Sequence, residues 1–117
     1  MTHKILVVYP ELDMSNHIFM YAHKPTLKEL QERVGGYIEP CAPLELREKN
    51  IELLVDEEGL LKGLQPNAKL YPFFYVGNAV FVGLDVEEVD GVKEVDFVGL
   101  TVEQIEFIVD WLEGLGA

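Results

Sequence analysis

The apolar residues of this chain fall in short, β-branched or aromatic runs, and turn-forming residues close nearly every one. Lys4-Ile-Leu-Val-Val-Tyr9 stops at Pro10. His17-Ile-Phe-Met-Tyr-Ala22 is closed by Pro25. Ile51-Glu-Leu-Leu-Val55 runs into Asp56-Glu57-Glu58-Gly59. Phe73–Val76 and Ala79–Val82 flank Gly77-Asn78. Runs of this length and composition read as strands, and this punctuation leaves little room for long helices. The Gly77-Asn78 link predicts a hairpin turning at 77–78, with both arms apolar on both faces and therefore central in the sheet. Leu60-Leu61, after the 56–59 turn, predicts the return arm of a second hairpin near 57–59. Residues 10–16 read as turn. Asn67, after Pro66, is placed to cap one helical turn through Leu70.

Two helices carry their own start signals. Thr26-Leu-Lys-Glu29 is a capping box and opens a helix to Val34. Leu27, Leu30 and Val34 form one apolar stripe, and Gly35-Gly36 supplies the left-handed stop. Tyr37-Ile38 resumes extended chain, and Pro40 and Pro43 keep 39–44 out of a regular central strand. Thr101-Val-Glu-Gln104 is a second capping box, opening a helix to about Leu115 that Gly114 and Gly116 close. The expected fold is α+β, a mainly antiparallel sheet of hairpins with one internal and one C-terminal helix, in a single domain over 1–117.

The blocks Thr26-Leu-Lys-Glu-Leu-Gln-Glu-Arg-Val-Gly-Gly-Tyr-Ile-Glu39, Val55-Asp-Glu-Glu-Gly59, Gly63-Leu-Gln-Pro-Asn67 and Val76-Gly-Asn-Ala-Val-Phe-Val-Gly83 follow one another in order. As a set, over roughly residues 1–105, they resemble a small domain family of unknown function found in phages, plasmids and bacterial genomes. The helix followed by Val-Gly-Gly-Tyr-Ile-Glu is the most specific part. The resemblance implies an intracellular protein of mobile-element origin. It implies no activity and carries no catalytic residue.

Charge is distributed unevenly. Residues 85–117 carry ten acids against one base, Lys93, so about −9 of the net −12 lies there. That balance repels nucleic acid and anionic membrane, because phosphate binding needs a basic face. No apolar run approaches the 18 or so residues of a membrane span, and no secretory signal is recognised. A cytoplasmic protein is expected, with no direct nucleic acid and no membrane among its partners. The single cysteine, Cys41, excludes an internal disulfide.

The chemistry-bearing residues are scattered. His3, His17, His23 and Cys41 match no metal-ligand spacing, and no cofactor is expected. Ser15 lacks a nucleophile elbow. Cys41, between Pro40 and Ala42-Pro43, has no basic neighbour to lower its pKa. Gly35-Gly36 lies at the helix end that repels anions. Asp56, Glu57 and Glu58 read as a solvated turn. Glu39 is a candidate helix cap, or a partner for Arg33. A small-ligand pocket is one option, drawn from Tyr37, Glu39, Asn67 and Tyr75, since aromatics often line such sites.

On the last helix, Val102, Ile105, Ile108, Val109, Leu112 and Leu115 form one broad apolar face, and Glu103, Glu106, Asp110 and Glu113 an acidic stripe beside it. Phe107 and Trp111 fall on a third side. They either cover a sheet edge or anchor an interface, with a second copy as one candidate. The resulting expectation is a non-enzymatic interaction or regulatory module that meets a protein partner, itself included, through Glu103, Glu106, Asp110, Glu113, Phe107 and Trp111. Two alternatives stand beside it. One is an acidic mimic of nucleic acid that inhibits a host DNA- or RNA-binding protein. The other is a ligand-binding protein or enzyme using the aromatic pocket.

Overall fold

The computed structural model describes residues 3–10 and 17–115. Ser15, most of the 10–16 turn and Gly116 lie outside the described residues. The elements are strands β1 (Lys4–Val8) and β2 (His17–Tyr21), helix α1 (Leu27–Val34), strand β3 (Ile38–Pro40), a short helix α2 (Leu44–Arg47), strand β4 (Ile51–Asp56), a 3₁₀ turn at Ala68–Leu70, strands β5 (Ala79–Val89) and β6 (Val92–Val98), and helix α3 (Val102–Leu115). Among the described residues six strands form one antiparallel sheet in the order β2-β1-β5-β4-β3, with β6 paired to β5. The fold is α+β with an internal and a C-terminal helix, as the patterning predicts.

Strand β5 organises the sheet. Its first half is central, with Phe81 paired to Leu6 of β1 on one side and Leu53 of β4 on the other. From Gly83, which still pairs with Ile51 of β4, it pairs with β6, register by register, from Gly83↔Val98 to Val89↔Val92. The central strands are apolar on both faces because both faces are covered. Leu6, Val8, Ile51, Leu53 and Phe81 pack under α2, α3 and the 3₁₀ turn, with Leu46, Leu70, Leu100 and Ile108. Ile5, Val7, Leu54, Val80 and Val82 pack under α1, through Leu30 and Val34. The alternation of Leu6 with Val7, Leu53 with Leu54 and Phe81 with Val80 is the period of two that splits one apolar run between two cores.

The caps form as read. Thr26 Oγ1 accepts from Glu29 N while Glu29 Oε1 accepts from Thr26 N, and Gly35 takes a left-handed φ of 93°. At α3, Gln104 Oε1 accepts from Thr101 N and Thr101 Oγ1 from Gln104 N. Leu27 departs from its stripe and lies exposed.

Both predicted hairpin turns are corrected. Residues 73–76 form no strand, and Val76 makes only an isolated bridge to Pro66. Gly77-Asn78 instead leads into β5, where Asn78 Nδ2 donates to Arg33 O at the end of α1. The aromatics before it are drawn toward α3, Phe73 stacking on Tyr75 and facing Trp111. After β4 no return arm follows, and Leu60 and Leu61 lie exposed. The turn there is held from below, by Gly59 N and Lys62 N donating to Asp56 O and Glu58 O and by the Lys62 ammonium on Asp56. The tight hairpin is at Asp90-Gly91, where φ is 51° and 78°. Two consecutive positive φ values are what a two-residue turn matched to strand twist requires. This stretch reads as loop and edge from its acidity, and that acidity masks an Asp-Gly turn with valines on both arms.

Helix α3 also sits rotated from its expected orientation. Val102 and Val109 are exposed, while Phe107 and Trp111 join Ile105, Leu112 and Leu115 against the core. The ring of Trp111 meets Phe73 and Phe81 at 5.6 and 6.2 Å. Its Nε1 donates to Glu45 Oε1 on α2, and Lys49 Nζ sits 5.4 Å from the Phe107 ring. The aromatics outcompete the valines for burial because they remove more apolar area from water.

Candidate functional site

Two buried carboxylates of β4 are already satisfied within the fold. Glu52 is 5% exposed and accepts from Ala42 N (2.8 Å), Leu53 N (3.0 Å) and Arg47 Nε (3.1 Å). Asp56, equally buried, accepts from Glu58 N (2.8 Å) and Lys62 Nζ (2.7 Å). Burial alone would raise its pKa. The Lys62 hydrogen bond, the Glu58 N–H and the Lys62 charge outweigh that, and hold the carboxyl below its ordinary value. Cys41 is equally committed. Burial, then the charges of Glu52 and Glu39, push its thiol up to about 12. It therefore stays protonated near neutral pH, with Sγ directed at Leu53 O and its own carbonyl accepting from Tyr75 Oη (2.7 Å).

The sequence blocks Gly35-Gly36-Tyr37 and Asp56–Gly59 meet at the C-terminus of α1. Lys62 Nζ reaches both Asp56 and Gly35 O. A Cβ on Gly36 would stand 2.7 Å from Lys62 Nζ and 2.8 Å from Asp56 Oδ2, so the ion pair needs a glycine there. A shallow groove of about 210 Å³ beside it is lined by Gln31, Gly36, Tyr37, Glu58 and Lys62.

The four residues expected to form a pocket are spread apart in role and place. Tyr37 stands at the lip of that groove. Glu39 is exposed on edge strand β3, opposite Val55. Tyr75 is tied to Cys41. Asn67 is buried to 2% as a pin, its Nδ2 donating to Val8 O (3.1 Å) and Gly77 O (3.0 Å), and its backbone N–H to Tyr75 O. Among the described residues its Oδ1 has no hydrogen-bond partner. A residue that reads as a helix cap is instead a cross-link between the end of β1 and the entry to β5. His3 and His23, far apart in sequence, come together with Nδ1 atoms 3.4 Å apart where the β1–β2 pair meets the end of β6. Among the described residues no group of three or more histidine, cysteine or acidic side chains is arranged to hold a metal ion.

The acids are a different matter. Glu103, Glu106, Asp110 and Glu113 all lie exposed along α3. Phe107 and Trp111 do not join them, because both turn inward and pack against the core. The residues that sequence reasoning missed are on the β5–β6 ribbon, exposed throughout 85–96. Residues paired across two strands share a face, and faces alternate along each strand. One face therefore carries Asp85↔Asp96 and Glu87↔Glu94, two like-charged pairs directly opposite each other. It is the face of β5 that continues from Phe81, on the α3 side of the sheet. The other face carries Val86↔Val95 and the one opposite-charged pair, Glu88↔Lys93. Along a strand, side chains two residues apart stand about 6.7 Å from each other, and across a pair about 5 Å. The four carboxylates thus form a small rectangle, with Lys24 Nζ 3.7 Å from Asp96 at one corner. The period-two spacing of Asp85 with Glu87 and of Glu94 with Asp96 about the Asp90-Gly91 turn is the signal that could have found it.

No described helix is long and apolar enough to cross a membrane. No curated protein and no solved structure matches the chain. A family profile does, over residues 3–113, and by that match the chain belongs to DUF3846, a domain of unknown function.

Proposed function

We propose that this protein is a non-enzymatic interaction module of the cytoplasm that engages a basic protein surface through its acidic C-terminal third. The observation that carries the reading is the like-charged pairing on the β5–β6 ribbon. Like charges directly opposite on a sheet are destabilising. A ribbon that holds two such pairs on an exposed face forgoes stability, and a basic partner would restore it. The exposed acids of α3 add to the negative charge of the same C-terminal third. The titratable groups inside the fold, Glu52, Asp56, Cys41 and Tyr75, are engaged in holding it together.

The test is a ribbon variant, Asp85→Ser with Glu87→Thr, Glu94→Thr and Asp96→Ser, compared with the unaltered chain as an affinity bait. The unaltered chain should retain a basic protein at low salt and lose it at high salt, since exposed charges are screened. The variant, melting as cooperatively as the parent, should retain none. Equal retention by the two baits would refute the reading. Acid spacing of several ångströms also favours a sharper form, in which the ribbon stands in for a nucleic-acid backbone. In that case the captured protein should release the chain when its own nucleic acid is added.

A further inference from the structure

The ribbon has free edges as well as a charged face. Over 92–96, β6 pairs only with β5 among the described residues. In a two-residue hairpin the residues flanking the turn exchange backbone hydrogen bonds, and bonded and non-bonded pairs then alternate. Val89/Val92, Glu87/Glu94 and Asp85/Asp96 are thus the bonded pairs. Lys93 and Val95 point their N–H and C=O groups away from β5. The same alternation turns Leu84 N outward, where it donates to Asn50 O, and Gly99 N outward, where it donates to His23 O. The chain around His23 therefore already lies along the end of this edge. From there Lys24 reaches Asp96. Among the described residues the fold supplies one basic side chain at the first acidic corner, and beyond it the edge is bare.

We infer that the outer edge of β6 over residues 92–96 takes up an extended basic segment of a partner protein as an added β-strand, its lysines or arginines at alternate positions. This rests on the interaction reading above and specifies how the partner is held. An added strand continues the line that the chain around Lys24 begins. Its side chains on the acidic face stand beside Glu94 and Asp96 at the strand period of about 6.7 Å. Each like-charged row then gains a cation at its end. The outward N–H and C=O of Lys93 and Val95 supply the ladder, and the alternate positions of the added strand face Val95 on the other side. Main-chain bonds give such strand addition its affinity and alternate side chains its specificity.

The probe is a fluorescein-labelled peptide of alternating lysine and valine, titrated with the whole chain at about 0.15 M salt and read by anisotropy. Binding should be accompanied by slowed amide exchange at Lys93 and Val95. Methylating the peptide amides on its ladder side should weaken binding by roughly tenfold or more, the scale of lost backbone hydrogen bonds. Val95→Pro should do the same from the protein side, since the Val95 N–H is not used in pairing with β5 and proline is tolerated on such an edge. Glu94→Gln should weaken binding and flatten its salt dependence. If the methylated peptide, or one with its lysines and valines in separate blocks, binds equally well, strand addition is wrong while the basic-partner reading stands. If neither these peptides nor polylysine binds, both are wrong.

Discussion

Glu94→Lys should make the isolated protein more stable, and the size of the gain follows from the ribbon geometry. Glu94 faces Glu87 directly, has Asp96 two residues along its own strand, and has Asp85 on the diagonal. Two unit charges about 5 Å apart in water repel by roughly 0.8 kcal/mol. Salt at about 0.15 M, with a screening length near 8 Å, lowers this to about 0.4 kcal/mol. Reversing one charge turns the repulsion into an attraction of similar size. The two neighbours some 7–8 Å away contribute smaller swings in the same direction. The total gain is about 1–2 kcal/mol, at the upper end of what exposed pairs deliver. The direct assay is amide exchange at Glu87 and Val92, whose N–H groups lie in the ladder. Their exchange should slow by roughly 5–30-fold. Glu94→Gln should give about half the effect in free energy, and salt near 0.5 M should reduce both by about half. Unchanged or faster exchange in Glu94→Lys at low salt would refute the electrostatic reading. A gain that persists undiminished at high salt would assign it to packing.

Other outcomes follow from the interior. Asp56 has its carboxyl held below the ordinary range in the fold, so its contribution is complete above the unfolded value near 3.9 and is lost as pH falls through the folded value. Asp56→Asn should therefore flatten the acid limb of a denaturation profile below about pH 4, and an unchanged limb would count against the Lys62 pair. Trp111→Glu should destabilise the chain by more than about 2 kcal/mol in urea, because it places a charge among Phe73, Phe81 and the core. Truncation after Gly99 removes Leu100 and Ile108, both fully buried, and should abolish cooperative melting. Cys41, with its thiol raised to about 12, should resist iodoacetamide at pH 8 in the folded chain and react once denatured.

Elements with complete local signals were legible in the sequence. The two capping boxes fix α1 and α3 because both partners of each reciprocal bond lie within one turn. Double-sided burial of β1 and of the first half of β5 was visible as unbroken apolar runs. What failed depended on long-range competition. Gly77-Asn78 carries a hairpin signal, yet Arg33 O and the Asn67 amide, from other parts of the chain, take its polar groups. Leu60-Leu61 reads as a strand, yet β3 already occupies the far edge of β4. The orientation of α3 turned on whether valines or aromatics face Phe81, which no helical wheel decides. The acidic rectangle is written in the sequence as period-two spacing, but only a known register sets Asp85 against Asp96 and Glu87 against Glu94.

Strand β5 has a consequence for how the molecule assembles during synthesis. Among the described residues β1 and β4 meet only through it, with Val7 and Leu54 both paired to Val80. Until β5 is made, the β1–β2 and β3–β4 pairs each lack their shared neighbour and expose an inner edge. The first contacts β5 makes on its own are local, through the Asp90-Gly91 turn to β6, and hairpins close in microseconds. Its pairing with β1 spans most of the chain and is correspondingly slow. The ribbon is therefore set to form ahead of the sheet it belongs to. It would then present β5 as a pre-ordered, strongly charged template whose carboxylates discourage stray strands while β1 and β4 find their places on either side.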